Sequence, residues 1–237
     1  MPASHFVAPA PDDVIQRRNM VDCQIRTVDV TDHAVIERFL EVPRDRFLPP
    51  ELATFAYSDM PLKLASVGPQ SEARQLLTPA VLARLIQSAA VKPSDKVLDV
   101  ASGNGYSTAI FAGLAKEVVA VYADAIRADV IKTNLAAVGL GSVRVLTGPL
   151  TGGAGSDAPF DVIFINGAVE SHLDQLFRQL RPGGRLVTIL HGTEASGSGA
   201  CSAVRYESQA GGISSLILFD AEAPVLSAFR KQAEFVF

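Results

Sequence analysis

The feature that most constrains the fold is a short apolar stretch followed at once by a turn of small residues, over 96–106. Its first five residues are apolar apart from Lys96 and Asp99, and two of them are β-branched valines, which is typical of a buried parallel strand. The turn contains Gly103 and Gly105, and apolar residues at helical spacing follow it. This strand–turn–helix order predicts an α/β sheet with a nucleotide site at the carboxyl end of its first strand.

The glycine spacing in this turn separates two classes of cofactor. A dinucleotide-binding turn counted from Ala101 needs glycine at positions 101, 103 and 106, and the third of these is Tyr106. The third glycine allows a helix to pack closely beside a pyrophosphate, so a nicotinamide dehydrogenase is the least favoured hypothesis. The pattern instead resembles motif I of the class I S-adenosylmethionine (SAM) methyltransferases.

Alternating strands and helices follow the first strand. The sequence predicts strands over 96–100, 117–122, 142–147, 160–166 and 185–190, and helices over 12–25, 32–41, 80–90, 108–115, 125–138 and 171–180. Two further strands, 200–208 and 213–220, flank Gly211 and Gly212 and indicate an antiparallel hairpin. The fold class expected is a Rossmann-like α/β methyltransferase fold: a mainly parallel sheet with helices on both faces and a C-terminal antiparallel hairpin.

The segment before the first strand is expected to form a helical extension. Residues 1–11, with three prolines, are expected to form a loose tail, and 192–199 a mobile loop. Thr31 is predicted to cap the second helix, and Thr78 caps the helix that Pro79 begins. We therefore expect an N-terminal tail and helical extension over 1–77, packed on a methyltransferase-like domain over 78–237.

Composition limits the classes of partner and compartment. A net charge of −4, without a cluster of lysine and arginine, argues against a partner bound through nucleic-acid phosphates. Cys23 and Cys201 have neither metal-ligand nor disulfide-framework spacing, and the four histidines have no metal-ligand or triad spacing. The sequence shows no signal peptide and no apolar stretch long enough to span a membrane, so a cytoplasmic protein without a membrane partner is expected.

Several separate stretches resemble one enzyme family. They are 42–49 (Val-Pro-Arg-Asp-Arg-Phe-Leu-Pro), 56–59 (Ala-Tyr-Ser-Asp) with Pro61 and Leu62, 97–106, 158–161 and 180–187. Together they resemble the protein-L-isoaspartate (D-aspartate) O-methyltransferases from about residue 20 to 190. The resemblance implies SAM as cofactor, a protein or peptide substrate that contains isoaspartyl residues, and methylation of a carboxylate that begins repair of the damaged residue.

The chemistry implied by this resemblance makes modest demands on the protein. A carboxylate is ionised at pH 7 and is already nucleophilic, so no general base is required. Catalysis then depends mainly on in-line positioning of the two substrates in a dry pocket. The lack of an evident histidine or cysteine nucleophile is consistent with this reaction.

The same resemblance assigns the site residues. Asp99, Ala101, Ser102, Gly103 and Gly105 are expected to cradle the cofactor. The other cofactor residues are expected beside the ribose (Tyr122, Ala123, Asp124), beside the adenine (Gly148, Pro149, Leu150) and at the floor near the methyl group (Asn166, Gly167). Thr78 is the candidate catalytic residue, and no metal site is expected.

The chain departs from the family pattern at three positions. Where the family has a serine that helps to hold the substrate, this chain has Leu77, with a hydroxyl one residue later on Thr78. The carboxylate expected near the ribose is replaced by Tyr122, with Asp124 two residues on. The aspartate of a family Gly-Asp-Gly that meets adenine is replaced by Pro149, which has no N–H.

These departures keep two further hypotheses open. A non-catalytic homologue could use the fold as a binding or scaffold module. A methyltransferase could act on a different acceptor. From the replaced serine, weak methylation of isoaspartyl peptides is expected.

Overall fold

A computed structural model describes residues 11–66, 74–192 and 201–231 of the chain. Except for Pro11 and Gly192, the predicted tail and the predicted loop at 192–199 lie outside these ranges.

The strands form one large sheet and one small hairpin. They are β1 (Leu62–Leu64), β2 (Arg74–Leu76), β3 (Lys96–Val100), β4 (Glu117–Tyr122), β5 (Arg144–Thr147), β6 (Phe160–Val169), β7 (Leu180–His191), β8 (Cys201–Gln209) and β9 (Gly212–Asp220). The seven-stranded sheet has the order β5-β4-β3-β6-β7-β8-β9, and β1 pairs with β2. The pairs from β5 to β7 are parallel, whereas β7–β8 and β8–β9 are antiparallel. The predicted mainly parallel sheet with a C-terminal antiparallel hairpin is confirmed.

Helices pack against this sheet and against one another. They are α1 (Pro11–Met20), α2 (His33–Glu41), α3 (Pro50–Ala53), α4 (Pro79–Ser88), α5 (Tyr106–Ala112), α6 (Ala125–Ala137) and α7 (Asp174–Phe177). One cluster of buried apolar side chains has members from Met20 to Phe229, so the N-terminal helices share a core with the sheet. Leu62, Leu64 and Leu76 of the small hairpin form a separate cluster. Placing a domain boundary at residue 78 stays a prediction.

The predicted cap of the second helix is wrong. The cap of α2 is Asp32 rather than Thr31, because the Asp32 carboxylate accepts hydrogen bonds from the amides of Ala34 and Val35. The amides of Thr31 and Asp32 themselves donate to the Gln87 side chain on α4, at 2.7 and 2.9 Å. The first helix was predicted over 12–25, and helical geometry does run to Ile25. It changes from α to π geometry after Met20.

The helix predicted over 171–180 is reduced to the single turn of α7. His172 has φ +66°, which is incompatible with a right-handed helix. The amide of Ser171 donates to the carbonyl of Phe229, and the carbonyl of Gln179 accepts from Phe160, so neighbouring segments use the backbone at both ends. Tertiary pairing therefore overrides the local helical pattern at this point.

The order of the strands reverses between β3 and β6. From β3 the chain proceeds outwards through β4 and β5, and it then returns to β6 on the other side of β3. The pairing of β3 with β6 ends at Val100 and Ile165. Ligands of open α/β sheets bind beyond the carboxyl ends of the strands at such a reversal. The space beyond Val100 and Ile165 is called the crevice below.

Candidate functional site

The turn that leaves β3 forms one wall of the crevice. Ala101, Gly103 and Gly105 all have left-handed backbone conformations, with φ of +60°, +66° and +96°. An L-alanine in this region is strained, and Ala101 is held there by a hydrogen bond from its amide to the carbonyl of Val121 on β4, at 3.1 Å. The turn therefore has a fixed shape that connects the ends of β3 and β4.

A buried polar network lies at the base of this turn. The hydroxyls of Ser107 and Thr108 donate to Asp99 Oδ2 at 2.8 and 2.7 Å, and Asn166 Nδ2 donates to Ser107 Oγ at 3.0 Å. Burial raises the pKa of Asp99 to about 7, against the opposing effect of the two hydroxyl hydrogen bonds. The network joins β3, α5 and β6 across the crevice, and all four side chains are buried.

Several buried polar atoms near the turn make no hydrogen bond within the described part of the chain, and two of them lie at or just after the end of β3. They are Asp99 Oδ1 and Ser102 Oγ, on residues with no exposed surface. Buried polar atoms in proteins are almost always paired, so atoms without a partner at a strand end indicate a place for a ligand. A carboxylate oxygen and a hydroxyl suit an amino group, which the amino-acid part of SAM contains. These residues fit that cofactor.

The β1–β2 hairpin lies over the turn and covers it. A Cβ placed on Gly103 would lie 2.9 Å from Leu76 Cδ2 and 3.8 Å from Leu64 Cδ1. Arg127, which is 2% exposed, connects hairpin and turn by donating to Ala65 O at 2.7 Å and to Asn104 Oδ1 at 2.8 Å. A ligand that follows the turn therefore has to displace the hairpin.

Arg74, on β2, reaches across the crevice. Its Nη2 lies 3.1 Å from the carbonyl oxygen of Ala101 and 2.6 Å from that of Asn166. These carbonyls belong to the residues that directly follow the last paired positions of β3 and β6. The guanidinium thus lies at the switch point of the sheet, where the strand order reverses between β3 and β6.

The Val-Pro-Arg segment, one of those that carry the family resemblance, supports the crevice from outside. Arg44, 1% exposed, donates to the carbonyl of Leu77 at 2.8 Å, and its guanidinium lies 5.0 Å from the centroid of the Tyr106 ring. Burial lowers the pKa of Arg44. The carbonyl of Phe47 accepts from Asn104 Nδ2 at 3.0 Å. These contacts fix the position of the turn and of the segment before α4.

The residues predicted beside the ribose lie at the end of β4. Tyr122 is buried and Ala123 is exposed. The Asp124 carboxylate caps α6, because its Oδ1 accepts from the amides of Ile126 and Arg127 at 2.7 and 3.2 Å. The structure brings these residues to the carboxyl edge of the sheet next to the turn, and their contact with a ribose stays a prediction.

The residues predicted beside the adenine follow β5. The amide of Gly148 donates to the carbonyl of Tyr122 at 3.0 Å, which holds this loop against the end of β4. Pro149 is exposed and Leu150 is buried. Gly148, Pro149 and Leu150 therefore lie beside the ribose candidates, and their role also stays a prediction.

The structure shows the surroundings of the residues predicted at the floor of the cofactor site and of the predicted catalytic residue. Asn166 is buried within the network, and Gly167 has φ +155° with Leu226 packed 3.0 Å from where a Cβ would be. Thr78 Oγ1 accepts from the amide of Val81 at 3.4 Å and caps α4 as predicted. A contact of Thr78 with substrate stays a prediction.

Other features of the described residues lie away from this crevice. Two surface cavities, of about 220 and 300 Å³, are lined respectively by residues around the start of β4 and β5 and by residues of α1 and the segment around Tyr57. Within residues 11–66, 74–192 and 201–231, no three histidine, cysteine or acidic side chains are grouped as a metal site would need. None of the helices described is long and apolar enough to cross a bilayer.

Sequence reasoning missed the two arginines and the two hydroxyls of the crevice. Arg74 and Arg127 contact residues far away along the chain, up to 92 positions for Arg74 and Asn166. No local pattern distinguishes such an arginine from an exposed one. The hydroxyls of Ser107 and Thr108 could have been found, because they lie in the first turn of the helix that follows a strand ending near an acidic residue.

Comparisons with known proteins identify relatives. A family model described as protein-L-isoaspartate(D-aspartate) O-methyltransferase (PCMT) matches residues 16–198. A protein-L-isoaspartate O-methyltransferase of Koribacter versatilis (strain Ellin345) is 33% identical over 184 residues, which are 76% of this chain and 80% of that protein.

Solved structures share the fold. A protein-L-isoaspartate O-methyltransferase structure has a TM-score of 0.76 at 21% identity, over 89% of this chain and 66% of that chain. A Plasmodium falciparum structure, described as a β-aspartate methyltransferase (PCMT) in complex with S-adenosyl-L-homocysteine, has a TM-score of 0.68 at 17% identity. That match covers 91% of this chain and 98% of that chain.

Proposed function

The chain belongs to the protein-L-isoaspartate (D-aspartate) O-methyltransferase family, and on that premise we propose that it methylates the carboxylate of isoaspartyl residues in proteins, with SAM as methyl donor. The predicted alternatives were a scaffold module and a methyltransferase with a different acceptor. The family membership, together with a crevice built at the switch point, favours the repair enzyme.

One observation supports this proposal more than any other. The crevice contains a buried network of Asp99, Ser107, Thr108 and Asn166, together with the unpartnered buried atoms Asp99 Oδ1 and Ser102 Oγ. Burying polar atoms without partners costs about 1–3 kcal/mol each, so such a site is difficult to explain as simple core packing. A polar ligand in the crevice would recover that cost.

The cofactor would be held mainly through the turn after β3. Asp99 and Ser102 suit its amino group, and Gly103, which Leu76 covers, would allow close approach of the cofactor to the backbone once the hairpin is displaced. When bound, SAM would supply a methyl group on a sulfonium, which an acceptor carboxylate would receive as a methyl ester, leaving S-adenosylhomocysteine. Tyr122, Ala123 and Asp124 would lie by the ribose, and Gly148, Pro149 and Leu150 by the adenine.

The residues of this chain act by positioning rather than by proton transfer. An acceptor carboxylate is already ionised at neutral pH, so no side chain has to remove a proton from it. Asn166 and Gly167 would form the floor beneath the reacting atoms. Leu77 and the hairpin would exclude water, which strengthens the electrostatic interactions inside the crevice.

A methyl-transfer assay tests the proposal. Transfer of labelled methyl from SAM to an isoaspartyl peptide should exceed transfer to the matched aspartyl peptide. Equal rates on the two peptides, or transfer to neither, would contradict it.

One observation favours the second hypothesis, a non-catalytic homologue. The β1–β2 hairpin covers Gly103, and Arg127 fixes the hairpin to the turn. Calorimetric titration with S-adenosylhomocysteine distinguishes the two hypotheses, because a scaffold with a permanently closed crevice should give no heat of binding. An enzyme should give a saturable isotherm.

A further inference from the structure

The β1–β2 hairpin is packed separately from the rest of the protein. Its three buried leucines form a cluster of their own: Leu62, Leu64 and Leu76. Residues of the main core, Tyr57 and Leu77, lie on either side of the hairpin along the chain. Each strand has three residues, and two-stranded hairpins have little stability of their own. The hairpin can therefore move without opening the main core.

The observed position of the hairpin blocks the turn after β3. A Cβ on Gly103 would lie 2.9 Å from Leu76 Cδ2 and 3.8 Å from Leu64 Cδ1, so the two leucines fill the space beside this glycine. That space is where a cofactor would approach the backbone most closely. In this conformation the turn is closed to the cofactor.

Arg127 fastens the hairpin in the closed position. Its Nη2 donates to the carbonyl of Ala65, just after β1, at 2.7 Å, and its Nη1 donates to Asn104 Oδ1 in the turn at 2.8 Å. Hydrogen bonds from a charged donor are about twice as strong as those between neutral groups. Because one guanidinium holds both hairpin and turn, the hairpin cannot leave the turn without breaking one of these bonds. Arg74 adds contacts from β2 to the far side of the crevice.

The closed position also leaves buried polar atoms unpaired. Arg127 is 2% exposed, and its Nε makes no hydrogen bond within the described part of the chain. Asp99 Oδ1 and Ser102 Oγ, at the start of the turn, are in the same condition. Unpaired buried polar atoms destabilise the conformation that contains them, and water or a ligand that enters when the hairpin opens can pair with them. The closed conformation is thus fastened at Arg127 and opposed by these atoms, which makes opening feasible.

We propose that the β1–β2 hairpin is an autoinhibitory cover, fastened by Arg127, which has to open before the cofactor can bind at the turn after β3. This inference rests on the proposed function for the identity of the ligand. Only the open fraction of the protein binds, so the measured Kd exceeds the Kd of the open form, and binding cannot be faster than opening. A covered Gly103 is then compatible with a cofactor-dependent enzyme.

Rapid mixing with S-adenosylhomocysteine tests the proposal. The chain has no tryptophan, so tyrosine fluorescence can follow binding, with Tyr122 at the end of β4 beside the crevice. The observed rate constant should rise with ligand concentration and level off at the opening rate. In Arg127→Gln, whose side chain is too short to hold both Ala65 and Asn104, this plateau should rise at least about tenfold, the effect of one lost charge-assisted hydrogen bond. Lys132→Gln, which removes an exposed cation of the same helix, should leave it unchanged.

A second variant and a second measurement separate the hairpin from Arg127 itself. Leu64→Ala removes packing between hairpin and turn and leaves both hydrogen bonds of Arg127 in place, so it should raise the plateau in the same direction. Hydrogen exchange of the β1 and β2 amides measures opening without any ligand. It should be faster in Arg127→Gln and Leu64→Ala than in the original protein, and unchanged in Lys132→Gln. Melting temperatures check that each variant is folded.

The outcomes separate the inference from the proposed function. A rate constant that rises linearly without a plateau, or a plateau that is the same in both variants as in the original protein, would overturn the inference. Absence of binding in the original protein and in both variants would overturn it too. A plateau that rises in both variants, in a protein that methylates no isoaspartyl peptide, would support the inference and contradict only the proposed function.

Discussion

The two sides of the crevice are built differently. On the side of β3 and β6, Asp99, Ser107 and Asn166 form one buried hydrogen-bonded network, and Arg74 contacts the carbonyl of Asn166. On the side of β4 and β5, the corresponding positions are Tyr122, Ala123 and the Gly148–Leu150 loop. The carboxylate nearest to them along the chain, that of Asp124, caps a helix.

The difference teaches where binding specificity resides. Buried, mutually hydrogen-bonded polar groups fix a geometry, and they lie on the side proposed for the methyl group and the acceptor. The side proposed for the nucleoside offers mainly shape and backbone. We therefore expect this protein to recognise its acceptor and the amino-acid part of its cofactor more strictly than the nucleoside.

The largest expected effect comes from closing the first side at the turn. In Gly103→Val, a β-branched side chain would have to adopt φ +66° and collide with Leu76, so both the turn and the hairpin shift. The Kd for S-adenosylhomocysteine should rise at least about a hundredfold, or ~2.7 kcal/mol. Calorimetry measures the affinity, and thermal unfolding measures the accompanying loss of stability.

Gly139→Val is the matched control for this change. Gly139 has φ +80°, and a Cβ added there would have no atom within 4 Å, so the variant has the same backbone strain without the collision. It should lower the melting temperature and leave the affinity as it is. Equal affinities of the two valine variants would mean that the ligand does not use the turn after β3.

Sequence alone predicted the strands and the turn that border this crevice, because each of them is encoded by residues that are neighbours along the chain. The apolar run of β3, the glycines after it and the run of β4 each carry their own pattern, and the observed strands match over 96–100 and 117–122. Parallel pairing then brings the strand ends together without further information. Asp99, Gly103 and Asn166 were accordingly found at the expected edge.

The side chains that occupy the crevice could not be predicted in the same way. Arg74 is close to its partners only after the chain has folded, with Ala101 27 positions away and Asn166 92 positions away. The helix predicted over 171–180 is wrong for a related reason. His172 has a left-handed backbone, and its neighbours Glu170 and Ser171 donate hydrogen bonds to the distant carbonyl of Phe229. Pairings of this length leave no periodic pattern in the sequence.

A smaller effect should follow from adding the missing charge to the second side. In Pro149→Asp, a carboxylate stands where the family has one, at an exposed position in the loop after β5. A charge-assisted hydrogen bond to the nucleoside is worth about 1.5–3 kcal/mol at most, and partial exposure reduces it to about a tenfold gain in affinity. Titration with S-adenosylhomocysteine measures the gain.

Ser142→Asp provides the control for Pro149→Asp. Ser142 is exposed and precedes β5, so the variant adds the same charge at the opposite end of that strand. Its affinity should equal that of the original protein. An affinity of Pro149→Asp that equals that of Ser142→Asp would show that the loop after β5 does not face the nucleoside.

Asp99 should give the stability of the protein a dependence on pH. With a pKa of about 7 in the folded protein against an ordinary value of 3.8, Asp99 retains a proton between about pH 4 and pH 7 that the unfolded chain releases. Stability therefore falls as pH rises through that window and is level above it. Asp99→Asn cannot titrate, so its melting temperature should fall less between pH 5 and pH 8, by roughly 5 °C.

The hydroxyls that contact Asp99 refine this last prediction. Thr108 lowers the pKa of Asp99 through its hydrogen bond. Thr108→Val should therefore raise that pKa and extend the pH-dependent fall in stability to higher pH, whereas Asp99→Asn should reduce the fall. A cationic amino group bound beside Asp99 favours the ionised carboxylate, and SAM should accordingly bind more tightly at pH 8 than at pH 6. In Asp99→Asn that difference should vanish, because no charge remains to respond. If the pH profiles of stability and of SAM affinity in Asp99→Asn ran parallel to those of the original protein, Asp99 would be ionised throughout. The polar network would then contribute to the crevice only through its geometry.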